Sequence, residues 1–474
     1  MKKYIYLFSI FLSLHSLNAQ QVQWASKMIK FSSDLGGKQF GIKRILGKPD
    51  AFPQGGYSGN AWTPKNALDG REIIIVGFEK PQTVKQVAVF ENLNAGCVVR
   101  ILVSTDGEKF EAVWSRKPDY KTPRYKTTLT TDRAYYFGRK RRKVQEIPSV
   151  FNPGIEHAIL DNAAANVVAV KVEFNFALLQ GQKQIDAIGI SDSEIPIEAL
   201  INSKPEFETL PNDSFVGLDS DNYSIPYIYE NGTKMMVSKF ENGKEQIFSF
   251  TKEGEKWTNK RQETSLNTGT NYNYVEFVNS KYLIKGGTEY TRGTNESGYE
   301  LFENKNGVFN SLGFIKIAAY NNYEDYSDAT ATDDLKTIIL AIETDFTQGG
   351  TDLYFATRKE DGTYGLLQNM GKIINSAENE ATPQLLSDQK TLLFASNGFS
   401  TYGNSDIFVS YRLDDTWKNW SEPINLGSKI NSENFDGQPF YDSENELLYY
   451  ATSVEGVMKI KSVPISKSIL MNLK

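Results

Sequence analysis

Over the carboxy-terminal half of the chain, apolar residues alternate with polar ones in short runs, and each run ends in a turn rich in Gly, Asn, Ser or Asp. A period of two marks half-buried strands rather than helices. The clearest unit spans 380–410. A proline-led edge enters the strand QLL, and a polar turn follows at 387–390. Then come the strand TLLFAS, a glycine-bearing loop at 397–404 and the strand DIFVS. This pattern predicts a small antiparallel meander.

The unit recurs. Second strands begin at Lys234, Lys281, Thr337, Thr391 and Leu447, with spacings of 47, 56, 54 and 56 residues. The leading proline returns as Pro226, Pro383 and Pro439. Third strands read QIFSF, YELFE, DLYFATR, DIFVSYR and VMKIKSV, several followed by an aromatic: Trp257, Phe309, Tyr364, and Trp417 with Trp420. A period of about 50 residues with three or four strands per unit predicts a β-propeller. A blade buries its faces only against neighbouring blades, so the ring must close. Five blades are expected. The fifth runs out of sequence after its third strand, and residues 207–211 are expected to supply its outer strand and cover the open edge.

Alternation also marks the amino-terminal part: EIIIVGFEK, VKQVAVFEN, CVVRILVSTDGEKFEAVW with a hairpin at Asp106 and Gly107, VVAVKVEFNFAL and KQIDAIGIS. Between them, 117–162 has no clear period. The fold expected is all-β: a β-sandwich over 20–193, a linker over 194–206 carrying Pro196 and Pro205, and the propeller over 207–474. Residues 1–19 have two lysines, a short apolar core and Asn18-Ala19, which reads as a cleavable secretory signal. No other stretch is apolar enough to span a bilayer. The protein is therefore expected to be exported, in the periplasm or at the outer membrane.

A net charge of −6 points to neither nucleic acid nor an anionic membrane. Cys97 is the only cysteine, so no disulfide forms within the chain, and its apolar setting reads as a buried thiol. His157 is the single histidine after the signal, which removes His-rich metal sites. No glycine-rich phosphate loop joins a strand to a helix. No cofactor is expected, a structural Ca2+ has no support, and no metal ligand set stands out.

Three groups remain as candidates. Tyr57, Asn60 and Trp62 lie on sandwich loops, where a ring can stack on a sugar face and an amide can fix hydroxyls; alternatively Trp62 packs into the core. Arg139, Arg141 and Arg142 belong to a basic run that suits a phosphate-bearing glycan or an acidic partner, or is a solvated loop. Carboxylates recur before blade starts: Asp219, Asp221, Asp325, Asp328, Glu378, Glu380, Glu433 and Asp436. Asp328, Glu380 and Asp436 are the candidates for a channel mouth binding a cation or basic peptide. The other reading is that such residues cap turns.

The amino-terminal part resembles discoidin-like domains, the galactose-binding jelly-roll sandwiches. The likeness rests on LGKP at 46–49, AWTP at 61–64, IIIVGFEKPQTVKQVAVFE, the VSTDGEKF hairpin, and the closing VVAVKVEFNF and QIDAIGIS. It departs from them in the insertion at about 117–160 and in lacking a cysteine pair. The repeats resemble TolB-type propeller repeats, closely in the fourth blade (PQLLSDQKTLLFAS, then GNSDIF) and more loosely in the third. Kelch repeats share the period, but the pairs Gly286-Gly287 and Gly349-Gly350 fall at different positions in their blades. Together the two parts resemble the amino-terminal region of Bacteroidetes-type OmpA-family envelope proteins. No OmpA-like domain is found before Lys474, so the chain reads as a short relative or a truncated form. Without that domain the family's peptidoglycan binding does not carry over. The function expected is a non-enzymatic scaffold binding envelope proteins, with a glycan or peptidoglycan as a second partner class, within an outer-membrane or periplasmic complex. The alternative is a carbohydrate-active hydrolase or lyase with the sandwich as its binding module.

Overall fold

The computed structural model describes residues 20–125, 152–269, 271–324 and 326–471. Regular structure is almost entirely β: a β-sandwich, then a five-bladed propeller, as the alternation predicts.

Two long strands, Arg71–Glu91 and Gly154–Asn175, organise the sandwich and pair antiparallel along both halves. Register shifts between Gly77 and Gln86 bend them, as bulges do. Lys27–Phe31, Val98–Ser104 and Glu111–Ser115 extend one half; Ala187–Ser191 and Val22–Trp24 extend the other. One core gathers side chains from both halves, among them Ile74, Val89, Val172 and Ile188.

The five blades begin with the inner strands Tyr223–Tyr229, Tyr274–Phe277, Asp328–Ala331, Glu380–Leu385 and Asp436–Asp442. Second and third strands fall where the repeat predicts, for example Thr391–Ser396 and Asp406–Tyr411 in blade 4. Each inner strand lies beside the next, and the fifth lies beside the first, so the ring is closed. The leading prolines differ from expectation: Pro226, Pro383 and Pro439 lie inside the inner strands, in bulges. The residue before each has a positive φ: Ile225 (51°), Thr382 (50°) and Gln438 (54°). Proline has no N–H for the ladder, and a bulge takes it out of the pairing.

The closing strand is corrected too. It is Ser214–Phe215, paired with Ser462 and Lys461, and not 207–211. Pro205–Glu208 forms a helical turn with proline at its start, which seats Phe207 and Leu210 against blades 4 and 5. Pro211 lacks a ladder donor, so extended pairing resumes only after it.

Candidate functional site

The inner strands surround a central channel that narrows to a cavity of about 30 Å³, lined among others by Ile225, Tyr227, Glu276, Asp328, Thr382 and Gln438. The bulges turn backbone N–H groups sideways, and each finds an acceptor on the preceding blade. Thr382 N donates to Asp328 Oδ2 (2.8 Å), Gln438 N to Thr382 Oγ1 (3.2 Å) and Ile225 N to Gln438 Oε1 (2.9 Å). A second tier repeats the device: Leu385 N donates to Thr330 Oγ1 (3.2 Å) and Tyr441 N to Gln384 Oε1 (2.7 Å).

Blades 2 and 3 break the repetition by placing carboxylates in this ring. Glu276 and Asp328 are buried and hydrogen-bonded to each other. Burial, then the charge of Asp328, pushes Glu276 well above the usual carboxylate range. Burial pushes Asp328 up to about 6, against the Thr382 N–H that favours its ionised form. Near neutrality, Glu276 is therefore the protonated partner and donates to Asp328. A third carboxylate, Glu245 of blade 1, is pushed up to about 7 by burial and accepts from Tyr326 Oη at 2.6 Å. The cavity has room for a water molecule or two and none for a sugar ring.

Of the three channel-mouth candidates, Asp328 lines the channel. Glu380 and Asp436 do not: both are fully buried turn caps. Glu380 Oε2 accepts Ser376 N (2.9 Å), and Oε1 accepts the hydroxyls of Ser376 and Ser396 (2.6 and 2.7 Å). Asp436 Oδ2 accepts Ser432 N at 2.6 Å. Asp352 and Asp406 repeat the arrangement with Gln348 N and Tyr402 N. Four carboxylates thus hold the N–H four residues back, at the first strands of blades 4 and 5 and at the third strands of blades 3 and 4. Burial lifts Glu380 and Asp406 to about 8 and Asp436 to about 6.

The sandwich candidates are redistributed. Trp62 is fully buried between Phe174 and Phe176, with Nε1 donating to Ser33 O. It belongs to the core and offers no stacking face. Asn60 is 1% exposed and bonds across to the propeller: its Oδ1 accepts Ala377 N at 2.8 Å, and its Nδ2 donates to Gly398 O. Ser58 Oγ and Gly59 N both donate to Glu378 Oε1 (3.2 and 2.7 Å), and Gln54 bonds Thr401 and Gly403. The loop read as a sugar platform is thus the seam between the two modules. Tyr57 alone keeps an exposed ring, 47% accessible and set against Phe40. Arg139, Arg141 and Arg142 lie outside the described residues. Cys97 is buried with Sγ 3.0 Å from Glu91 Oε2, and half-buried His157 contacts Gln86. Among the described residues, no group of three or more His, Cys, Asp or Glu could hold a metal ion. Sequence reasoning missed Glu276 and Glu245. Aligning first strands would place Glu276 beside Thr382 and Gln438, but the bulge shifts the register and hides the match.

Fold and site define a closed five-bladed β-propeller with a β-sandwich fastened to it. No protein-family model and no curated protein matches the sequence. Among solved structures, the chain is similar to the endo-arabinase from Bacteroides thetaiotaomicron (14% identical, TM-score 0.35, covering 53% of this chain and 97% of that one). It is also similar to TolB from Acinetobacter baumannii (12%, 0.32, 52% and 55%) and to the β-propeller domain of the Trilobed protease from Pyrococcus furiosus (13%, 0.27, 52% and 71%). These likenesses span about half of the chain; the blade count rests on the strand pairing itself.

Proposed function

We propose that the protein is an exported, non-enzymatic binding scaffold of the bacterial cell envelope, with a TolB-type propeller and a discoidin-like sandwich acting as one body. Its partners are envelope proteins, with a glycan or peptidoglycan as the second class. The observation that carries this reading is the seam. Gln54, Ser58, Gly59 and Asn60 are committed to blade 4 and its flanking loops. Asp352, Glu380, Asp406 and Asp436 are likewise committed to backbone N–H groups. A fixed geometry between two modules lowers the entropy lost when a partner spans both. Crosslinking in intact cells, followed by envelope fractionation, tests it. Crosslinks to outer-membrane or peptidoglycan-associated proteins are expected; a protein recovered free of the envelope would contradict it.

One observation favours a second reading, a carbohydrate-active hydrolase. Glu245, Glu276 and Asp328 come from three consecutive blades and carry raised carboxyl pKa values, as paired acids and bases in such enzymes do. The narrow cavity argues for the scaffold.

A further inference from the structure

We propose that the outer edge of blade 2 is a strand-pairing surface, and that its occupant is the same edge of a second copy of this chain. The outer strand, Val308–Ala318, is 11 residues long. Tyr364–Leu366, a strand that leaves blade 3, pairs in parallel with Ile317 and Ala318 at its very end. Among the described residues no other strand joins that side, so the edge along 308–316 is open. A strand edge presents a row of main-chain N–H and C=O groups, and another strand satisfies them in register. The short strand from blade 3 shows that this side accepts one, and an added strand would continue the same ladder.

The other blades blunt their outer edges. Those of blades 3, 4 and 5 are the two-residue strands Gln368–Asn369, Ile424–Asn425 and Ser214–Phe215. Blade 1 has a longer one, Lys256–Gln262, but it exposes Lys256, Lys260 and Arg261, and charges along an edge repel a second edge. Residues 308–315 carry no charged side chain. Val308, Leu312 and Phe314 are 60, 53 and 58% exposed there, while Phe309, Ile315 and Ile317 are buried and hold the strand to the blade. A long, uncharged and apolar open edge is what a solitary sheet avoids.

The second copy is the occupant these observations specify. An open edge is covered by another open edge, and every copy carries this one. Two such edges related by a two-fold axis run antiparallel, and the contact closes on itself. The uncharged stretch brings no like charges together, and the exposed apolar side chains of one edge meet those of the other. Size sets the strength. Roughly nine residues at about 3.3 Å each give a contact about 30 Å long, and a bulge at Leu312 divides it. One strand pair of that length falls short of the area of a permanent dimer, so the association is reversible.

Sedimentation velocity on the full chain from about 1 to 500 µM, with amide hydrogen exchange followed over the same range, tests the surface. The mass is expected to rise towards two chains, with half-association between about 10 and 500 µM. Amides within 308–316 should exchange at least about tenfold more slowly in the dimer. The double variant Leu312→Lys, Phe314→Lys should weaken association by at least about tenfold, because it sets like charges across the pair. Both side chains are exposed, so its melting temperature should match that of the natural chain. Phe240→Lys, which removes an equally exposed ring from blade 1, should leave association unchanged. A single chain at every concentration overturns the proposal. So does association that leaves exchange at 308–316 unchanged, or that the folded double variant retains. Mass that grows past two chains without limit overturns the two-fold pairing. Exchange is read on the natural chain, so it decides the matter even where the double variant fails to fold.

Discussion

Asn60 carries two hydrogen bonds across the seam, to Ala377 N and Gly398 O, and lies buried there. Removing its amide leaves a buried donor and acceptor unpaired, so Asn60→Ala should lower stability by about 1–3 kcal/mol in denaturant unfolding. An exposed sugar-binding Asn would leave stability unchanged. The buried carboxylates give a pH signature. Glu380 and Asp406 are lifted to about 8 and Glu245 to about 7, each chiefly by burial. The folded state thus keeps protons that the unfolded chain releases near pH 4. Their stabilisation is complete below that pH and is lost as pH rises through the folded values. Calorimetry from pH 5 to 9 should show the melting temperature falling up to about pH 8. Glu380→Gln should flatten part of the slope; a melting temperature that climbs over this range would contradict the burial.

At the scale of elements, second and third strands were legible because each carries its own alternation and turn. Thr391–Ser396 and Asp406–Tyr411 coincide with the runs TLLFAS and DIFVSY, although both are buried at every residue rather than on alternate ones. The closing segment was legible as a need but not as a position. Its location depends on where Phe207 and Leu210 find a core, a contact with blades distant in sequence. The linker is thereby part of the propeller. Asn202 O accepts Asn425 N at 2.7 Å, Glu208 bonds Ser428, and Asp213 holds Lys461 and Tyr450. Phe207→Ala should cost about 3–5 kcal/mol, the usual price of emptying a buried ring site. A propeller beginning at residue 199 should fold, whereas one beginning at 220 should lose the cooperative transition seen by circular dichroism. Equal stability of the two pieces would show that the segment closes nothing.

At the scale of the molecule, sandwich and propeller are expected to unfold together. Gly59 is the closest approach to test: a Cβ there would sit 2.9 Å from Ala377 O. Gly59→Val should separate the modules without unfolding either, turning one calorimetric transition into two. Seam contacts such as Asn60 to Gly398 join residues 338 apart. Local pattern carries no information about them, and so the sugar-platform reading of Asn60 and Trp62 gave way to docking and core packing. The acidic pair was hidden for a related reason, since alternation tells which face of a strand is buried but not which strand end borders the channel. The proposed scaffold binds its partner without turning it over. Reducing-end release from a panel of polysaccharides and isolated envelope glycan measures this directly, with the full chain and Asp328→Asn compared. No release above a heat-killed control is expected for either protein. Release by the natural chain that Asp328→Asn abolishes would contradict it.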